Sequence, residues 1–82
     1  MTWFEAEQID LYVRRLEECL DEWQLEPIQM RIESAELKRT LSKIERASKE
    51  SGCDPLLRHY ISTLTKRIHH CILQLDERLK HK

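Results

Sequence analysis

One glycine, two prolines and a single valine leave this 82-residue chain little from which to build turns or sheet. Aromatic residues are also scarce, at 6%. Strands draw on β-branched and aromatic side chains, so this composition argues against a sheet-based fold. A lone glycine equally excludes a glycine-rich loop of the kind that cradles phosphates. No hydrophobic run exceeds three residues, as at Leu11, Tyr12 and Val13, so nothing in the sequence is long and apolar enough to span a membrane. The three cysteines, Cys19, Cys53 and Cys71, are an odd number without metal-ligand spacing. The chain also turns acidic from Glu5 onward, unlike a secretory or transit leader. Together these features predict free thiols in an intracellular, reducing compartment, cytoplasm or nucleus.

Leucine, isoleucine and charged residues fill the space. Charged side chains make up 35% of the chain, a mixture typical of long helices and helical bundles. At this length the chain forms one domain, residues 1–82, with a core of marginal size. The net charge of −1 conceals a dipolar layout. Residues 1–26 carry eight acids against Arg14 and Arg15, while the remainder carries twelve Lys or Arg against seven acids. The two halves can pair internally or be offered to a partner.

Thr2 followed by Glu5 is a capping-box signature that opens a helix. Ala6, Ile9, Val13, Leu16, Leu20 and Trp23 then alternate in steps of three and four. Ala6, Val13 and Leu20 take heptad position a, and Ile9, Leu16 and Trp23 take position d. Extended through Pro27, the same frame places Met30, Leu37 and Ile44 at d and Leu41 at a. A loop would ordinarily reset that phase. The spacing therefore predicts one helix from about residue 2 to about residue 49, kinked near Leu25 to Pro27 and about 70 Å long. The alternative is a three-helix bundle with a tight turn around Glu26. Gly52 stops the preceding helix in either case, and Asp54 with Pro55 caps a last helix over about residues 55–79. Its stripe is Leu57, Ile61, Leu64, Ile68, Cys71 and Leu75, and it packs back antiparallel on the first.

A return helix that short covers only half of the long one, which would leave the acidic arm projecting into solvent. A second apolar stripe adds to the surplus. Phe4, Leu11, Leu25, Ile28, Ile32 and Ala35 lie roughly 150° around the helix from the a and d seam. Surplus apolar surface of this kind marks an interaction site. The residues expected to meet a partner are Trp3, Phe4, Leu11, Trp23, Leu25, Ile28 and Ile32, the aromatics as anchors.

Enzymatic or metal chemistry has no visible seat. The a and d positions hold no Asp, Glu, His, Lys or Arg before Arg78, so the seam reads as dry. His59, His69, His70 and Cys71 lack the same-face i, i+4 spacing that helical metal ligands require. Cys71, at d, reads as a small core residue. The sequence thus predicts a non-catalytic helical subunit or adaptor, with no cofactor, metal, membrane or small-molecule ligand. It assembles with another protein, a different chain or a second copy. A nucleic-acid-binding accessory role is the alternative, on a ridge of Arg39, Lys43 and Arg46 with Arg58, Lys66 and Arg67. A pI near 6.4 weighs against it, since backbone binding favours a basic domain. A third reading is a self-contained three-helix binding module.

Overall fold

The computed structural model of the chain describes residues 2–22, 25–50 and 54–80. It is a helical bundle of three helices, α1 (Trp3–Asp21), α2 (Pro27–Ser48) and α3 (Pro55–Lys80). The chain is all-helical, as its composition predicts. The long kinked helix over residues 2–49 does not form, and the three-helix alternative is the one adopted. The break follows from Pro27. A proline ring crowds the residue before it out of the helical region. Glu26 accordingly sits at φ −79°, ψ 158°, extended, and Pro27 takes the first turn of α2. The bundle measures 45 × 18 × 15 Å along its principal axes, well short of a 70 Å rod.

Local chemistry sets each helix start. Thr2 is extended and its hydroxyl oxygen accepts a hydrogen bond from the Glu5 amide at 3.2 Å. At α3, the Asp54 carboxylate accepts from the Leu56 amide at 2.9 Å, and Pro55 supplies a first-turn residue that needs no hydrogen-bond acceptor. Glu26 makes no side-chain cap bond, so α2 starts on the proline alone. The stop expected at Gly52 lies outside the described residues. So does Trp23, which the heptad frame assigns to the seam.

Helix α3 is the centre of the bundle, and α1 and α2 each pack along it. Leu57, Ile61, Leu64, Ile68, Cys71, Ile72 and Leu75 of α3 are buried. Against them lie Ala6, Val13, Leu16 and Leu20 of α1 and Met30, Leu37 and Ile44 of α2. Helix α2 runs antiparallel to α3: the Ser34 hydroxyl bonds Asp76 at 3.3 Å toward one end, and Glu45 and Ser48 share a groove with Arg58, Ile61 and Ser62 toward the other. Helix α1 runs parallel to α3, with Trp3 beside Tyr60, Asp10 beside Arg67 and Leu20 beside Arg78. The acidic arm is therefore covered and does not project. Because the chain breaks before Pro27 and α2 runs back along α3, α3 meets both halves of what the frame treats as one rod.

Candidate partner interface

The bundle closes its first apolar stripe and leaves the second open. At 100° per residue, Ser34, Leu37, Leu41 and Ile44 turn one face of α2 inward. Ile28, Ile32 and Ala35 lie more than about 120° around from that face. Ile28 is 72% exposed and Ile32 56%, and Ala35 is exposed beside them. On α1, Phe4 and Leu11 point away from the core in the same way, at 68% and 52% exposed. Tyr12 of α1 donates a hydrogen bond to Glu33 of α2, which tethers the two helices at that level. Leu11 and Ile32 are the residues preceding that pair, so they stand at one height on either side of the α1–α2 groove. Phe4 extends the stripe toward one end of the bundle and Ile28 toward the other.

Four of the seven residues expected at an interface thus lie on this outer surface. Trp3 stands elsewhere. It is 42% exposed, but its ring packs on Tyr60 at 5.7 Å between centroids, toward α3. Leu25 is half-buried against the core, and Trp23 is outside the described residues.

The cationic residues are dispersed. Arg39, Lys43 and Arg46 line an open groove of about 430 Å³ between the C-terminal half of α2 and the start of α1, together with Glu5 and Glu50. Arg39 is paired with Glu36 at 3.1 Å. Arg58 lines a different groove, between α2 and α3. Lys66 is exposed on α3. Arg67 is committed to the bundle, reaching Asp10 at 2.6 Å and Glu17 at 2.5 Å. The six residues proposed as a nucleic-acid ridge therefore do not share one surface.

Asp10 is a departure from the dry interior. It sits one position beyond the seam and is only 8% exposed. Its carboxylate accepts from the Tyr60 hydroxyl at 2.6 Å and from Arg67 at 2.6 Å, and pairs with Arg14 at 3.3 Å. Burial alone would raise its pKa, but the bonds from Tyr60 and Arg67 and the two guanidinium charges outweigh that and lower it. The same bond, with burial, pushes Tyr60 up to about 12. The hydrogen bond to Glu17 leads in raising the Arg67 pKa, against burial. Arg78, the one cation on the seam, donates to the Leu20 carbonyl at 2.6 Å and so satisfies the end of α1. Asp10, Arg67 and Arg78 are structural ties between α1 and α3.

Cys71 is fully buried, and burial raises its thiol to about 11. His59, His69 and His70 are exposed on α3. Among the described residues, no three His, Cys, Asp or Glu side chains gather as a metal cluster would, and no helix is long and apolar enough to cross a membrane. Comparison with family models, with curated proteins and with solved structures finds no match.

Proposed function

We propose that the chain is a non-catalytic helical subunit or adaptor that docks a partner protein on the outer surface of α1 and α2. The observation that carries this reading is the exposure of Phe4 and Leu11 on α1 and of Ile28 and Ile32 on α2, large apolar side chains on a bundle whose core is already closed. Exposed apolar residues scattered singly need no explanation, whereas their grouping on the outer side of two neighbouring helices supports an interaction surface. Helix-on-helix packing of coiled-coil type suits the i, i+4 spacing of Ile28 and Ile32.

The test is retention of proteins from the source cells on the immobilised chain, compared with Ile28→Asp/Ile32→Asp. Both side chains are solvent-facing, so the variant should keep the helicity and melting temperature of the wild type. Partners held by the wild type and lost by the variant are the expected result. The same set held by both would overturn the proposal.

A further inference from the structure

The outer face of α2 changes character along its length. Over residues 28–35 it presents Ile28, Ile32 and Ala35, and over residues 39–46 the same face presents Arg39, Lys43 and Arg46. Ser42, exposed between them, adds a hydroxyl. Arg39 already answers Glu36. Lys43 and Arg46 have no ion pair among the described residues, and both open onto the groove beside α1, which Glu5 and Glu50 also line, leaving three cations against two carboxylates there. We infer that the partner docked on α2 is an amphipathic helix with an apolar stripe over one half and carboxylates over the other, the latter meeting Lys43 and Arg46. This rests on the interface reading above and names the chemistry of its occupant.

Charge decides between occupants. A second copy of this chain laid α2 on α2 would, antiparallel, set Ile28 and Ile32 against the arginines and lysine of its neighbour, and, parallel, oppose cation to cation; a copy docking by its acidic α1 would show as the dimer tested below. An anionic bilayer would be attracted by Lys43 and Arg46. It would also meet the exposed carboxylates of Glu7, Glu18, Asp21 and Glu22 on the adjoining α1, which repel it. A helix seated along α2 faces fewer of those acids than a flat bilayer would. Its own carboxylates meet Lys43 and Arg46, which hold no ion pair among the described residues, so charge gives register and specificity more than affinity.

The test uses the full chain and synthetic helical peptides with leucines at helical spacing over one half. In one peptide the other half carries glutamates on the same face; in its twin it carries lysines. Each is made in both chain directions and titrated by fluorescence anisotropy at low salt. The expected result is a Kd below about 100 µM for the glutamate peptide and at least about tenfold weaker binding of the lysine twin. Lys43→Glu/Arg46→Glu should invert that preference. Equal binding of the twins, a preference that survives the charge reversal, or no binding below about 1 mM overturns the inference. So does binding only to phosphatidylserine vesicles, or a mass by light scattering that shows a dimer whose formation excludes the peptide. If Ile28→Asp/Ile32→Asp abolishes peptide binding while the twins bind alike, the apolar interface stands and its charged extension fails. If that substitution has no effect on bound peptide, the interface reading fails as well.

Discussion

Asp10 ties three side chains to one carboxylate, and its removal has a calculable consequence. Asp10→Ala leaves Arg67 half-buried beside only Glu17 and leaves the Tyr60 hydroxyl without its acceptor. Breaking a mostly buried charged network of this kind costs about 2–3 kcal/mol, which chemical denaturation will read as a lower midpoint. The lowered Asp10 pKa also fixes the sign of the acid response. Its contribution is complete above the ordinary value of 3.8 and is lost as pH falls through the lower folded value. Melting temperature should fall below about pH 4, and Asp10→Asn should flatten that slope. The alkaline limb has the opposite sign. Tyr60, raised from 10.0 to about 12, and Cys71, raised from 9.0 to about 11, stabilise the fold below their ordinary values. Those contributions disappear as pH climbs through the raised ones. A core contrast completes this scale. Leu64→Ala, at a fully buried site, should cost roughly 2–5 kcal/mol, against less than about 0.5 kcal/mol for Ile32→Ala. Asp10 was hidden in the sequence because a heptad frame counts position e as surface. Its i, i+4 and i+3 relations to Ala6, Arg14 and Val13 were the available signal. The partner that makes it internal, Arg67, lies 57 residues away, and only the fold brings it there.

Helices α1 and α2 share a heptad phase without sharing a helix. Periodicity reports which face of each segment is buried. It does not report whether the backbone between segments is helical. Both stripes turn to α3, so an unbroken frame survives a broken chain. The decisive local signal was Glu26 standing before Pro27, since the residue before proline avoids the helical region. The start of α3 was legible at Asp54 and Pro55, and that of α1 at Thr2 and Glu5, because caps are chemistry within one turn. The direction of α1 relative to α3 was not, since nothing short-range encodes it. The uncapped start of α2 predicts a simple improvement. Glu26→Asp shortens the side chain to one that reaches the amides of the first turn, and should stabilise the bundle by about 0.5–1 kcal/mol. Thr2→Ala should lose about 1 kcal/mol from α1 by the same physics, both read as shifts in thermal midpoint.

The assembled bundle keeps its interior on the a and d stripe and carries a second stripe on its outside. Composition and spacing were enough to find that second stripe, because amphipathic arithmetic needs only a helical period. They were not enough to separate its members. Trp3 lies toward Tyr60 and Leu25 folds against the core, and both outcomes depend on how α1 and α2 are set around α3. The cationic residues separate for the same reason. Arg67 is consumed in holding α1 to α3, while Lys43 and Arg46 remain on the surface, further along the face of α2 that presents Ile28 and Ile32. The proposed partner surface is the outer side of α1 and α2, where Phe4, Leu11, Ile28 and Ile32 are exposed over a closed core. The most direct measurement is site-specific photo-crosslinking in the source cells, with a photoreactive residue at position 32 on the outer stripe or at position 66 on the exposed side of α3. A discrete protein adduct from position 32 and none from position 66 is the predicted result. Equal adducts from both positions, or none from position 32, would contradict it.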